Sequence, residues 1–413
     1  MKPLTGVEIS DGARWTTRTE EDAFLQRLAT ETDVEVTIEG YSVMGNPIWC
    51  AALGSGSTLM VAAGVHGAEP SGRDAALAWL RDLAYSTDSE VESYLASHRV
   101  VVVPNINVDG STIPLQRDNA NGVNINRDYI RLAQPEARAV ARVVGRERPV
   151  MLLDMHEVGD DQGAIWRPFW ETPNADSGLQ ALGEDLRDYI AGELHTKTGE
   201  TSLDYQRDLI PWAQLSSVAY YWHAVGLLSE VSWRYPNSSR TRRFEVSRDV
   251  LDAAVDFHRD NRGALDAARS ASESAALTGQ IRIPTHERAY QGEELYVPAS
   301  TVHTVEGQVP QELFALHGIS HSNGQVDFSQ PAGMVAAALL APDSTEQVAN
   351  LADWERAPDG TPPPSVATAP RLGTVSHGAT LHPITQAWVG DGETIRPVLS
   401  AWTHDGANLY PVQ

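Results

Sequence analysis

Three compact apolar runs, each breaking off into a polar cluster, constrain this chain more than any other feature. TLMVAAG leads into HGAEPSG, RVVVVP into NINVDG, and VMLLDM into His156-Glu157. Runs of this length, rich in Val, Leu and Met and bounded by Gly or Pro, read as buried strands over 58–63, 99–104 and 150–155. A fourth follows at 227–231. Helical patterns separate them at 75–84, 135–145, 179–195 and 246–269, with Pro135 suited to a first helical position. Apolar strands alternating with helices predict an α/β domain whose sheet is covered on both faces. Upstream, 35–38 and 47–53 flank the turn GYSVMGN and read as a hairpin.

The pattern changes near Ser270. ARSASESAAL is small and polar, and strand-like runs follow: QIRIP, ELYVPAS and GMVAAALLAP. A Pro-rich stretch, APDGTPPPSVATAPR, precedes a final segment with strand-like pieces AWV and PVL. The expected division is a catalytic-type domain over 1–272, a β-rich accessory region over 273–360, and a Pro-rich linker with a β-rich segment over 361–413. No internal repeat of fixed period is expected.

Composition narrows the partners. The 413 residues are 42% hydrophobic, enough for a sizeable core, and no apolar run approaches the roughly 18 residues needed to span a bilayer. With 31 basic against 55 acidic residues the net charge is -24, which repels phosphate backbones and anionic lipid. Neither nucleic acid nor membrane is expected as a partner. Lys2 and Lys197 are the only lysines, and the single Cys50 excludes an internal disulfide and a thiolate metal cluster. The start, MKPLTGVEISDGARW, has no charged and apolar secretory signal, so the chain as given reads as cytoplasmic; removal of a leader would leave the same appearance.

The polar clusters lie past the C-terminal ends of predicted strands, the edge where α/β sheets usually bind ligands. His66 and Glu69 share a turn bracketed by Gly64 and Gly67, so both side chains can converge on one point. Alone, an HxxE is as well explained by a turn histidine and a helix-start carboxylate, and a second one, His303 to Glu306, lies in the C-terminal region. The added strand-end His156 sets His66 and Glu69 apart. Two imidazoles and one carboxylate suit Zn²⁺ and leave a fourth position for water.

Together HGAE, NINVDG, QRDNANGVNINRDY, LLDMHE and GLLSEVSW resemble the zinc carboxypeptidase family, in the carboxypeptidase A-like sense. FALHGISHS followed by QPAGMVAAALLAPDS is similar to the tail region of its larger bacterial members. The resemblance implies a mixed, mostly parallel sheet with helices on both faces and a C-terminal β-rich extension. It implies one zinc per chain held by His66, Glu69 and His156, and Glu230 as the base that takes a proton from water and passes it to the leaving amine. A carboxylate at a buried strand end can have its pKa raised toward neutrality, as that task requires. Arg117 matches the residue that stabilises the oxyanion. Asn126 and Arg127 match the pair that grips the substrate's terminal carboxylate. Each arginine could instead be a salt bridge on an acidic surface, and Glu230 a carboxylate paired to Arg234.

Departures accompany the match. Many members carry Asp two residues before the carboxylate-gripping Asn, orienting a zinc-ligating histidine; here the position is Asn124, which accepts a hydrogen bond without a charge. Asp154, two residues before His156, is placed to supply some of that charge. For the mobile tyrosine that closes over substrate, Tyr205 is the nearest candidate, with Tyr220 and Tyr221 as rivals. His303, Glu306, His317 and His321 read as solvated loop residues rather than a second metal site. WRPFW is as well read as core or cleft wall as a carbohydrate platform.

The leading expectation is a zinc metallocarboxypeptidase acting on a peptide with a free carboxylate. A zinc amidohydrolase of N-acyl amino acids or cell-wall peptide shares these motifs, and a non-catalytic binding module would not need Glu230. A serine hydrolase lacks its G-x-S-x-G elbow here.

Overall fold

The computed structural model describes residues 2–113, 115–159, 172–199, 211–234, 238–287, 291–305 and 309–348, with short strands at 165–166, 202–203 and between 374 and 411. Eight strands form one sheet: β1 (Glu35–Tyr41), β2 (Pro47–Gly54), β3 (Ser57–Ala63), β4 (His98–Val103), β5 (Met151–Val158), β6 (Ile165–Trp166), β7 (Ser202–Leu203) and β8 (Val225–Ser232). Their order is β1-β2-β4-β3-β5-β8-β6-β7. The central run β4-β3-β5-β8 is parallel, while the β1-β2 hairpin, its junction with β4 and the β6-β8 pair are antiparallel. The sheet is therefore mixed and mostly parallel, as the sequence implies.

Helices cover both faces: α1 (Gly6–Ile9), α2 (Arg18–Glu31), α3 (Ser71–Ala84), α4 (Ser89–Leu95), α5 (Pro135–Glu147), α6 (Ser177–Thr198), α7 (Leu215–Tyr221) and α8 (Arg240–Ser274). Side chains alternate across a strand, so each central strand feeds two cores. Met60, Ala62, Val101, Val103 and Leu152 join the core under α5 and α7. Leu59, Val61, Val100, Val102, Leu153 and Met155 join the core under α2, α3, α6 and α8. Because both faces are dry, these strands read as continuous apolar runs. Local signals set the helix starts: Pro135 follows Gln134 at the head of α5, and the Ser239 side chain accepts from the Arg242 N–H to cap α8.

The expected boundary at residue 272 falls inside α8. Met1–Gly360 forms one compact unit and Thr361–Gln413 a second. Beyond α8 the first unit adds the pairs β9 (Gln280–Ile283) with β10 (Leu295–Pro298) and β11 (Val302–Thr304) with β12 (Gln325–Asp327). It also adds two helices, α9 (Gln311–His317) and α10 (Gly333–Leu340). The strand expected at GMVAAALLAP is thus a helix, α10, buried in the same core as α5 and α7. A uniformly apolar run has no period to read, and its alanines favour the helix.

The second unit corrects another expectation. Its strands pair as three antiparallel hairpins: β13 (Thr374–His377) with β14 (Thr380–Pro383), β15 (Trp388–Gly390) with β16 (Ile395–Pro397), and β17 (Trp402–His404) with β18 (Leu409–Pro411). The register is the same each time, with Thr374 opposite Pro383, Trp388 opposite Pro397 and Trp402 opposite Pro411. The sequence carries this period of 14 residues: HGATLHPI, DGETIRPV and DGANLYPV occupy equivalent places. A fixed-period repeat is therefore present. The Pro-rich stretch 357–371 lies outside the described residues.

Candidate metal centre

β3 ends at Ala63, and its chain turns through Gly64 at a φ of +65, a left-handed conformation that glycine adopts without a Cβ penalty. Three residues on, Gly67 passes so close to Gly110 that an added Cβ would lie 2.2 Å from its carbonyl carbon. The Gly67 N–H donates to the Arg117 carbonyl at 3.2 Å, and the Asn107 amide reaches the same oxygen at 3.0 Å. These contacts fix the loop so that His66 and Glu69 emerge just before α3. Next to β3 in the sheet, β5 delivers Asp154 and His156 on one face.

The three ligand candidates meet. His66 Nδ1 lies 2.8 Å from one Glu69 oxygen, His156 Nδ1 lies 2.8 Å from the other, and the two Nδ1 atoms are 3.2 Å apart. A tetrahedral ion with bonds of about 2.0–2.1 Å would hold its ligand atoms roughly 3.3 Å from one another. Each ring's far nitrogen faces an acceptor: His66 Nε2 lies 3.0 Å from Asn124 Oδ1, and His156 Nε2 lies 2.8 Å from Asp154 Oδ1. Hydrogens on Nε2 leave both Nδ1 lone pairs aimed at the common point, the tautomer that a metal requires. The Glu157 N–H steadies Glu69 by donating to it at 3.1 Å. Among the described residues, His66, Glu69 and His156 are the one group of metal-ligating side chains so placed.

Electrostatics agree with a cation seat. Burial opposes the Glu69 charge, but the two imidazoles outweigh it and hold the carboxyl below its ordinary range. Burial also disfavours a charged His156, yet Asp154 and Glu69 together raise its pKa well above the ordinary value. Both shifts describe a site that gains by holding positive charge.

Glu230 stands beside this cluster by strand register. β5 and β8 pair in parallel with His156 directly opposite Glu230, so their side chains share a face. Burial is the largest cause of a Glu230 pKa raised to about 7, with the Glu69 and Asp154 charges adding and His156 and Arg117 opposing. Arg117 is half exposed and 3.7 Å from Asp118.

Asn126 and Arg127 behave differently from one another. Asn126 is 2% exposed, and its amide is engaged by Leu215, Asp154 and His156. The Arg127 side chain is 27% exposed and pairs with Glu287 at 2.5 Å, a partner that sequence reading missed because nothing local links residues 160 apart. Tyr205 and WRPFW side chains lie outside the described residues. Of its rivals, Tyr221 donates its hydroxyl to the Pro173 carbonyl and Tyr220 is buried in the core under α6 and α8. The C-terminal histidines do not converge: His317 is buried against Trp222 and the Ile130 carbonyl, His303 stacks on Phe328, and His321 lies near Gln311. Glu306 lies outside the described residues.

Comparison with known proteins decides the family. Residues 21–224 match the family model described as zinc carboxypeptidase. The chain carries a zinc carboxypeptidase domain. The match ends just before Glu230. Carboxypeptidase 2 of Trichophyton tonsurans is 37% identical over 94 residues, covering 23% of this chain and 17% of that protein. The chain spans about a quarter or less of the length of the curated relatives it matches. A metallo-carboxypeptidase structure from Burkholderia cenocepacia is 19% identical with a TM-score of 0.50, covering 59% of this chain and 69% of that one. Carboxypeptidase A from Helicoverpa armigera is 16% identical with a TM-score of 0.51, covering 61% and 74%. At such identities the two structures establish that the carboxypeptidase domain shares their fold.

Proposed function

We propose that the protein is a zinc metallocarboxypeptidase that releases the C-terminal residue of a peptide bearing a free carboxylate. The observation that carries this reading is the convergence of His66 Nδ1, His156 Nδ1 and Glu69, with Glu230 in register beside them. These three side chains would hold one zinc per chain, a Lewis acid that acidifies water and polarises the scissile carbonyl. Glu230, with a pKa near 7, accepts the proton of the attacking water and passes it to the leaving amine. Arg117, whose charge reaches Glu230, stabilises the negative charge that develops on the carbonyl oxygen. Arg127 binds the substrate's carboxylate with a planar, bidentate guanidinium, displacing Glu287 as it does so. The described elements after α8, β9 to β12 with α9 and α10, serve as an accessory layer that buttresses the α5 and α7 face, and the three hairpins between 374 and 411 as a separate repeat module.

The test is a panel of peptides with blocked N-termini, free or amidated at the C-terminus, analysed by mass spectrometry. Stepwise loss of single C-terminal residues from the free acids alone supports the reading. Zinc-loaded protein that leaves every peptide intact but cleaves N-acyl amino acids would replace it with a deacylase.

A further inference from the structure

We propose that Asn107 is a positioning residue for Arg117, tying the loop that carries the arginine to the loop that carries His66 and Glu69. The inference rests on the reading of Arg117 as the group that stabilises the oxyanion. Asn107 is fully buried just past β4, in the NINVDG turn, and it meets both loops. Its backbone N–H donates to the Gly64 carbonyl at 2.8 Å, at the foot of the turn that presents His66. Its side chain works in the other direction. The Gly110 N–H can only donate, and it lies 2.9 Å from Asn107 Oδ1, which fixes the orientation of the carboxamide. The NH₂ group is thereby placed to donate to the Arg117 carbonyl at 3.0 Å. That oxygen also accepts from the Gly67 N–H at 3.2 Å, so both of its lone pairs are engaged.

Two glycines make room for this junction. A Cβ at Gly110 would lie 2.6 Å from Asn107 Nδ2, and one at Gly67 would lie 2.2 Å from the Gly110 carbonyl carbon. Only glycines let the two loops close on the Asn107 amide. Asp109 anchors the same segment to the β1-β2 turn, its carboxylate accepting from Ser42 Oγ at 2.6 Å, Asn46 Nδ2 at 2.7 Å and the Met44 N–H at 3.0 Å. The result is a fixed pivot under a long side chain. With its carbonyl pinned, Arg117 starts from a set Cα position, and only its own rotamers remain to be ordered when substrate arrives. Its guanidinium is half exposed, 3.7 Å from Asp118, and its charge reaches Glu230. An arginine that must meet a developing charge depends on such a pivot, because a misplacement of about 1 Å can cost roughly 100-fold in rate.

The test combines kinetics on a free-acid peptide with amide hydrogen exchange, on zinc-loaded wild type, Asn107→Ser, Arg117→Ala and the double variant. Serine keeps an acceptor for the Gly110 N–H but is too short to reach the Arg117 carbonyl. Asn107→Ser is expected to lower kcat about 10–100-fold with KM and zinc content held. In the Arg117→Ala background the same substitution is expected to change kcat less than about twofold. The Gly67 N–H is expected to be protected in wild type and to exchange at least about tenfold faster in Asn107→Ser. An unchanged kcat, an equal loss in both backgrounds, or a Gly67 N–H that is unprotected in wild type or unaltered in the variant would each overturn the tether. Arg117→Ala with wild-type kcat would overturn the oxyanion reading itself, a separate outcome, since Gly67 exchange still reports on the tether.

Discussion

Opposite His156 across a pair of parallel strands, the Glu230 carboxyl is partly buried and close to two other acids, and both effects raise its pKa, to about 7. Burial raises the pKa, so the basic form is populated above that value and lost below it. The expected profile is a kcat/KM that falls about tenfold per unit as pH drops below 7. Glu230→Gln removes the titrating group; kcat is expected to fall roughly 10²–10⁴-fold, with zinc content retained. A variant that keeps the same acid limb would show that another group titrates. The convergence of His66, Glu69 and His156 was legible because a short polar motif breaks each apolar run, although β5 and β8 continue two residues past His156 and Glu230 rather than stopping there. The inward turn of Asn126 was not legible, since its partners, Leu215 and Asp154, lie in other elements.

Between elements, two contacts bear on the site. The loop after β3 depends on Gly67, whose missing side chain lets Gly110 approach. Gly67→Ala is expected to cost on the order of 2 kcal/mol in urea unfolding and to weaken zinc binding, because the turn cannot open without moving His66 and Glu69. Glu287, from the segment after β9, pairs with Arg127. A half-exposed ion pair contributes about 0–1 kcal/mol, so Glu287→Ala is expected to lower KM for free-acid peptides about 2–5-fold without changing kcat. An unchanged KM would mean that substrate never competes for this guanidinium. Strands and long helices followed from hydrophobic runs and helix-start signals. GMVAAALL did not, since a segment buried all round shows neither a helical nor a strand period.

For the whole molecule, the two compact units have different logic. Met1–Gly360 buries two cores on one sheet, and the accessory segments after α8 complete one of them. Thr361–Gln413 repeats one hairpin three times, a pattern hidden in the sequence because Gly and Pro keep the period while Thr374 stands where Trp388 and Trp402 recur. A chain ended at Gly360 is expected to retain its melting temperature, zinc content and peptide hydrolysis, whereas removal of residues 280–341 is expected to unfold the first unit. Calorimetry on both truncations checks this. The central claim, that His66, Glu69 and His156 hold a catalytic zinc, is tested most directly by elemental analysis of purified wild type and His156→Ala. The account predicts one zinc per chain in wild type and almost none in the variant. A wild type that stays zinc-free after reconstitution, or a variant that keeps its full zinc, would contradict it.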